Sequence, residues 1–169
     1  GKEFTPRAST QSVCSPVCAL NMIAKKNFAK HSKEERKADK EKRESLKSRK
    51  SWLSDAQAMF NKFIRLRDAK QPCISCGKIE ATWDAGHYRT VAAAPNHRFN
   101  EDNVHKQCVQ CNQHKSGNIV QMRMGMIERI GAERVEAIEH DNTLHKLDID
   151  EIKAIKEKYR LLVKELQNK

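Results

Sequence analysis

The sequence has few of the residues from which a large hydrophobic core is built. Aromatic residues make up 5% and apolar residues 38% of its 169 positions, whereas charged residues make up 33%. A core of this size gives little stability by itself, so we expect a further cross-link such as a bound metal ion. No run of 18 apolar residues is present, so we expect no segment that spans a membrane and no membrane partner.

Acidic residues are also scarce relative to basic ones. The chain has 33 lysines and arginines against 22 acidic residues, which gives a net charge of +11 and an isoelectric point near 9.5. A charge of this size favours a polyanionic partner, with nucleic acid first and an anionic membrane surface second, and of these we predict nucleic acid and no membrane.

The six cysteines form three close pairs. Without a visible secretory signal, this pattern favours metal binding, and disulfides in an exported protein are the alternative. Cys73 and Cys76 form one CxxC pair, and Cys108 and Cys111 form another. Four thiolates at this spacing complete the tetrahedral shell of Zn²⁺, so the predicted zinc is structural and has no open position for catalysis.

The third pair, Cys14 and Cys18, has no partner pair in the sequence. The preceding Gly1-Lys2-Glu3-Phe4 is typical of the residues that follow a zinc knuckle. We therefore expect residues 1–22 to be a partial zinc-knuckle head, with another cysteine pair just upstream in a longer form of the protein. The alternative is two free thiols in a loose tail.

A basic segment follows this head. Residues 25–50 contain twelve lysines and arginines against five acidic residues, no proline, no glycine and almost no apolar side chain. This composition predicts a solvated helix or a disordered arm that contacts phosphates, with a plain spacer helix as the alternative. The side chains expected on DNA are Lys33, Arg36, Lys37, Lys40 and Arg43.

Apolar residues recur at helical spacing on both sides of the central cysteine block. Asp148 is a good N-cap for a last helix, with Glu151 at the capping-box position. The long apolar stripe of this helix packs either within the chain or against a second copy, and the sequence leaves both open. The regions expected are the head (1–22), a basic helical arm (23–50), an amphipathic helix (51–70), a zinc-stapled core (71–118) and a C-terminal helical region (119–169).

Polar residues fill the interval between the two central cysteine pairs. A short strand at residues 81–83 is expected to deliver Asp84 and His87 to a loop. Asn103 precedes the second pair, and Asn112 follows it at the start of an expected helix. A strand, a loop, a strand and a helix around one zinc ion form a ββα-metal arrangement. The predicted fold class is thus α+β, mostly helical around that core.

Three segments of this block resemble the NinG family of lambdoid phages, also called Rap. They are WDAGHYRT (83–90), FNEDNVHKQC (99–108) and CNQHKSG (111–117). His87, Asn103 and Asn112 also follow the pattern of HNH, or His-Me finger, nucleases of treble-clef form, with fifteen and eight residues between them.

The resemblance implies a metal-dependent, structure-selective DNA endonuclease. Such an enzyme acts on branched recombination intermediates such as Holliday junctions and D-loops, in the cytoplasm of a bacterial host. The expected partners are branched DNA and phage or host recombination proteins. A homodimer through the helix at 51–67 or the last helix would supply two active sites.

Each candidate site residue has a chemical property that phosphodiester hydrolysis requires. His87 is the expected general base, because a neutral imidazole titrates near working pH. Asn103 is expected to orient it by bonding to backbone. Asp84 and Asn112 offer hard oxygen ligands for Mg²⁺ or Mn²⁺, and His114 is a competing ligand. The basic residues expected to grip DNA near the site are Arg89, Arg98, Lys106 and Lys115.

The block departs from the common HNH pattern at one position. Many such sites carry an aspartate or histidine ligand immediately before the base, where this sequence has Gly86. We assign that ligand to Asp84, three residues before the base. His97 and His105 are expected at the surface or behind the site.

Two other functions are compatible with the charge and the cysteines. One is a non-catalytic, zinc-containing DNA-binding recombination accessory protein. The other is a zinc-stapled adaptor whose helices bind protein partners. Neither explains why the histidine and the two asparagines fall at nuclease intervals.

Overall fold

The computed structural model describes residues 4–6, 9 and 11–168, which fall into two units, 1–47 and 48–169. Of the predicted partial zinc-knuckle head (1–22), residues 1–3, 7, 8 and 10 lie outside the described part. No helix among the described residues is long and apolar enough to cross a membrane.

The first unit contains helix α1, Pro16–Ser45. The Ser15 hydroxyl accepts a hydrogen bond from the Cys18 N–H at 3.2 Å, and Pro16 occupies the first turn. Both are strong helix-starting signals. None of the helical residues is buried, which agrees with the predicted solvated basic helix. The predicted boundary between the head (1–22) and the helical arm (23–50) is not seen, because Ser15 and Pro16 start the helix within the head.

The second unit holds the remaining elements, with helices outnumbering strands. A 3₁₀ turn lies at Pro95–His97 and a π-helical turn at Gln110–His114. The helices and strands are α2 (Arg49–Arg67), β1 (Trp83–His87), β2 (Val104–Cys108), α3 (Ile119–Ile130), α4 (Ala132–His140) and α5 (Ile149–Gln167).

The main hydrophobic core lies between α2 and α5. The Phe60 ring of α2 packs edge-on against Tyr159 of α5, with ring centroids 4.8 Å apart. Val163 joins the same cluster. Of the two alternatives for the last helix, packing within the chain is therefore the one observed. The same contacts cover the apolar faces through which a homodimer was predicted, so a second copy would need another surface.

The two strands form one antiparallel pair that rests on this core. Trp83 lies opposite Cys108, and His87 lies opposite Val104. Ala85 and Val104 pack into the α2–α5 cluster. The predicted strand therefore runs over residues 83–87, and the mixed, helix-rich α+β class is confirmed.

The segment after β2 differs from the prediction. Asn112 was expected to start a regular helix, but it lies in the five-residue π-helical turn, and α3 begins only at Ile119. Gly117 adopts φ +86°, and Ser116 and Asn118 also have positive φ, so a right-handed helix cannot continue through them.

The C-terminal helices lie where the periodicity predicted them. Met122 of α3 packs against Val135 and Ile138 of α4, in a second cluster that includes Ile74. Gly131, with φ +89°, ends α3.

The last helix has the predicted start. Asp148 and Glu151 form the complete capping box, in which each side chain accepts a hydrogen bond from the other residue's backbone N–H. Two helix-terminal N–H donors are thereby satisfied, which fixes the first turn of α5.

A buried carboxylate joins the end of α2 to β2. Asp68 accepts hydrogen bonds from Arg67 Nε at 2.7 Å and from the Lys106 backbone N–H at 3.0 Å, and Arg129 lies 3.6 Å away. Burial alone would raise the pKa of Asp68, but His105, Arg67 and the Lys106 N–H hold that pKa well below its ordinary value. The ionised carboxylate is therefore the form that the fold requires.

We expect Asp68→Asn to lower the free energy of unfolding by about 3 kcal/mol, because it leaves the half-buried guanidinium groups of Arg67 and Arg129 without a counter-charge. Urea denaturation at pH 7 measures this. Glu128→Gln, which neutralises an exposed carboxylate on α3, is the matched control and is expected to change stability by less than about 0.5 kcal/mol. If the two substitutions lowered the stability equally, the ionised Asp68 carboxylate would have no special part in stabilising the fold.

Candidate functional site

The centre of the second unit is a cluster of four cysteines. The sulfurs of Cys73, Cys76, Cys108 and Cys111 all lie within 4.8 Å of one another, and three of these residues are buried. The cluster could hold a metal ion, as the CxxC spacing predicted. Zn²⁺ accepts four thiolates in tetrahedral geometry, so this donor set suits it.

The surroundings of the sulfurs fit a bound cation. The backbone N–H groups of Cys108 and Cys111 point to the sulfurs of Cys73 and Cys108, at 3.3 and 3.4 Å. Burial and the neighbouring thiols raise the pKa of Cys111 to about 12. Four thiolates cannot share this volume without a positive ion, and a bound zinc ion would supply that charge as the thiols lose their protons.

A buried glutamine ties the two cysteine-bearing segments together. Gln107 of β2 donates from Nε2 to the Ser75 hydroxyl at 2.6 Å and to the Gly117 carbonyl at 2.5 Å. Its amide oxygen fills the space where a Cβ at position 86 would lie. Gly86 therefore lacks a side chain for a packing reason. The sequence analysis missed Gln107, because an uncharged polar residue beside a cysteine gave no signal.

His87 lies half-buried at the end of β1. Its Nε2 is 3.1 Å from the Arg98 carbonyl oxygen. A carbonyl can only accept, so Nε2 carries the hydrogen, and the neutral ring keeps its lone pair on Nδ1. Burial lowers the pKa of His87, and so does the Arg98 charge, while the carbonyl contact opposes them. The ring is therefore neutral at pH 7 and can accept a proton at Nδ1.

Asn103 fixes the loop between the strands. It is fully buried, its Oδ1 accepts from the Arg89 N–H at 2.8 Å, and its Nδ2 donates to the carbonyls of Arg89 and His97. The predicted side-chain bond to backbone is present. Because the first bonded residue lies two positions after His87, Asn103 holds the chain as it leaves β1.

The two predicted oxygen ligands lie together. Asp84 Oδ2 accepts hydrogen bonds from Asn112 Nδ2 and Gln113 Nε2, both at 2.8 Å. Among the described hydrogen bonds, none uses Asp84 Oδ1 or Asn112 Oδ1, so these two oxygens could act as metal ligands. Gln113 was not predicted. His114 is exposed at the end of the π-helical turn, and no described hydrogen bond joins it to Asp84.

The structure does not bring Asp84 next to His87. Their side chains leave β1 on opposite faces, since they are three residues apart, and about 10 Å of strand separates their Cα atoms. Asp84 shares its face with Gly86, the position at which many HNH sites carry a metal ligand.

Two of the basic residues predicted to contact DNA are used within the fold. The Arg89 guanidinium donates to the carbonyls of Ile138 and Asp141, at 2.9 and 2.6 Å. Lys106 is 4% exposed, and its ammonium donates to the Ala69 carbonyl at 2.9 Å. These hydrogen bonds argue against the predicted phosphate contacts, because both cationic groups already bind backbone carbonyls, Arg89 near the end of α4 and Lys106 near the end of α2.

The other basic residues leave charge at the surface. Lys115 is exposed, and Arg98 is half-buried with one nitrogen 3.2 Å from Gln57 Oε1. The predicted phosphate-contacting residues of α1 are all exposed: Lys33, Arg36, Lys37, Lys40 and Arg43.

Neither of the two extra histidines lies at the surface. His97 is 4% exposed, and its Nε2 lies 3.3 Å from Asp141. His105 is 2% exposed, and its Nδ1 lies 3.8 Å from Asp68. The surface alternative given for them was wrong, and they support the fold from within.

Cys14 and Cys18 lie close together in the first unit, with sulfurs 3.3 Å apart. Hydrogen bonds from Ser15 and Cys14 lower the pKa of Cys18. Among residues 4–6, 9 and 11–168, no third histidine, cysteine or carboxylate completes a metal site with them. The partial zinc site at Cys14 and Cys18 therefore stays a prediction.

Comparison with known proteins gives the family. The family described as Bacteriophage Lambda NinG protein matches residues 1–169. The chain belongs to the NinG family. A protein named Protein ninG from Escherichia phage lambda is 46% identical over 184 aligned positions, covering 98% of this chain and 88% of the relative.

Other relatives carry the same name. The Protein ninG of Salmonella phage P22 is 44% identical and covers 98% of this chain and 89% of its own length. That of Escherichia phage 933W is 54% identical over 125 positions, covering 73% of this chain and 62% of the relative. No solved structure matches. The NinG family named from the sequence motifs is therefore confirmed.

We expect purified protein to contain one zinc ion in the four-cysteine cluster and Cys111→Ser to lose it, because a hydroxyl cannot replace a buried thiolate ligand. Elemental analysis after dialysis measures the zinc content. Cys14→Ser, in the first unit, is the control and is expected to keep the ion of the cluster. Retention of zinc by Cys111→Ser would contradict this assignment.

Proposed function

We propose that this NinG family protein is a metal-dependent, structure-selective DNA endonuclease of the HNH type that cuts branched recombination intermediates. The observation that carries the proposal is the His87 ring. Its Nε2 is fixed on the Arg98 carbonyl, 3.1 Å away, which leaves Nδ1 as the proton acceptor. No described hydrogen bond occupies Nδ1, and the ring is half-buried with a lowered pKa, which are properties that a general base requires.

His87 would act as the general base in phosphodiester hydrolysis. Nδ1 takes a proton from a water molecule while that water's oxygen attacks phosphorus. The phosphorus bond to the leaving oxygen breaks, and the leaving oxygen takes up a proton from solvent. The Nε2 contact keeps the ring oriented and supports the positive charge that the ring gains. Asn103 keeps the end of β1 in place during this change.

Asp84 and Asn112 are the residues that would hold Mg²⁺ or Mn²⁺. Their oxygen atoms are hard ligands, and one or two protein ligands suffice for these ions when waters and phosphate oxygens complete the shell. When bound, such an ion offsets the negative charge that develops on the leaving oxygen.

The charge distribution supports DNA as the substrate. The exposed basic residues of α1 supply phosphate contacts that do not depend on base sequence, within a chain of net charge +11. Such contacts bring affinity that falls steeply with salt. Selectivity for branched structures must come from the second unit, because a solvated basic helix does not distinguish a junction from a duplex.

The test is cleavage of a labelled four-way junction and a matched linear duplex with Mg²⁺ or Mn²⁺. We expect wild-type protein to cut the junction and spare the duplex. His87→Ala is expected to lower cleavage by at least about 100-fold, which is the usual contribution of a general base, and to bind the junction with unchanged affinity.

His140→Ala, which removes an exposed histidine at the end of α4, is the matched control and is expected to cut normally. If wild-type protein binds the junction but cuts it with neither ion, the nuclease proposal fails. A zinc-containing DNA-binding accessory protein is then the better description.

The pH dependence of cleavage checks the base. The pKa of His87 lies below its ordinary value of 6.5, so the ring is neutral throughout the physiological range. We expect the single-turnover rate to rise with pH in the acidic range and to level off before pH 6.5, because only the neutral ring accepts a proton and its pKa is lowered. A rate that rises tenfold per pH unit from 7 to 9 would assign the proton acceptor to another group.

A further inference from the structure

A cleft of about 460 Å³ lies in the second unit, outside the four-cysteine cluster. The start of α2, the loop after β1 and the linker before α5 form its walls, which are mostly apolar. Its volume falls within the roughly 300–1,000 Å³ range of pockets that enclose small ligands. The apolar residues that line it include Leu53, Val91, Ala92, Pro95 and Leu144.

The rim of the cleft is cationic. Arg49, Arg98 and Lys146 line it, and the lining contains no acidic residue. Among the described residues, no carboxylate forms an ion pair with any of these three. Burial lowers the pKa of Arg98, and the Arg49 charge lowers it further, so the two guanidinium groups repel each other. A bound anion would relieve that repulsion.

The cleft adjoins the proposed catalytic base through one residue. The Arg98 side chain lines the cleft, while its carbonyl oxygen receives the hydrogen bond from His87 Nε2. A ligand held in the cleft would therefore lie beside the proposed catalytic site. The walls themselves are anchored, since Arg49 Nε donates to the Leu147 carbonyl at 2.9 Å.

We propose that this cleft binds one unpaired nucleotide of the DNA substrate, with its base between the apolar walls and its phosphate on the cationic rim. Leu144, 91% exposed at the mouth, offers an apolar surface to the base. This inference rests on the proposed function and specifies what the enzyme recognises in a branched molecule.

The shape and chemistry of the cleft favour an unpaired nucleotide over a duplex. A base within a duplex is stacked and paired, so it cannot enter a pocket of this size unless it leaves the helix. A ligand that offered only phosphate groups would contact the cationic rim and would leave the apolar walls unused. Branch points contain nucleotides that are unpaired or easily unpaired, so a cleft of this kind selects branched DNA.

The experiment compares two labelled duplexes, one fully paired and one with a single unpaired nucleotide at its centre. Fluorescence anisotropy in buffer without Mg²⁺ or Mn²⁺ gives both affinities without cleavage. We expect wild-type protein to prefer the duplex with the unpaired nucleotide by about five-fold or more, since stacking of one base gives a gain of this order.

Two pairs of variants test the cleft. Ala92 is exposed, so Ala92→Asp and Ala92→Asn are expected to fold and differ only in charge. The aspartate is expected to reduce the preference to about one, and the asparagine to reduce it less. Lys146→Gln is expected to lower the preference several-fold. Lys164→Gln, which removes the same charge from α5 outside the cleft, is expected to leave it unchanged.

Three results would overturn the proposal. They are a wild-type preference near one, a preference that Ala92→Asp leaves intact, and equal binding when the unpaired nucleotide lacks its base. Failure of the nuclease proposal looks different: the preference and its loss in the variants persist, but no junction is cut. If the protein cuts the junction but binds the two duplexes with equal affinity, the nuclease proposal stands and the proposed nucleotide site in the cleft is wrong.

Discussion

The requirement that four sulfurs meet within 4.8 Å governs the second unit. It brings the loop that carries Cys73 against the end of β2 and the turn that carries Cys111. In the same region Gln107 bonds Ser75 and Gly117, and β2 pairs with β1. A two-stranded sheet has little stability of its own, so its geometry depends on this cluster at one end and on the α2–α5 core at its face.

Buried polar groups do much of the positioning that a larger core would do elsewhere. Asp68 connects α2 to β2, Arg89 connects the loop after β1 to the end of α4, and Asn103 closes that loop on itself. Each of these contacts satisfies backbone groups far apart in sequence. Such networks specify one arrangement more sharply than apolar contacts do, because a shifted partner leaves a buried group unpaired. The histidine at the end of β1 is thereby held between fixed neighbours.

Local signals allowed the helices to be predicted, whereas long-range contacts could not be. The spacing of apolar residues predicted the amphipathic helices, and Asp148 with Glu151 predicted the start of α5. The CxxC spacing predicted the cysteine cluster. The predicted DNA contacts show one such limit, because a basic residue looks the same in sequence whether it faces DNA or a carbonyl. Arg89 and Lys106 were assigned to DNA for that reason. Asp68 was missed likewise, because nothing local marks a carboxylate whose partners lie on other elements.

The separation of Asp84 from His87 bears on how such a site can work. Gln107 takes the space at position 86, so no metal-ligating side chain can directly precede the base. The nearest carboxylate on the same face of β1 as Gly86 is Asp84, two residues earlier. A substrate that contacts both groups must then span about 10 Å along β1 and reach both faces of the strand. That demand makes substrate placement more exacting than in a site with adjacent ligand and base. The cleft beside Arg98 supplies a second point of attachment on the His87 side, which is where such a substrate needs one.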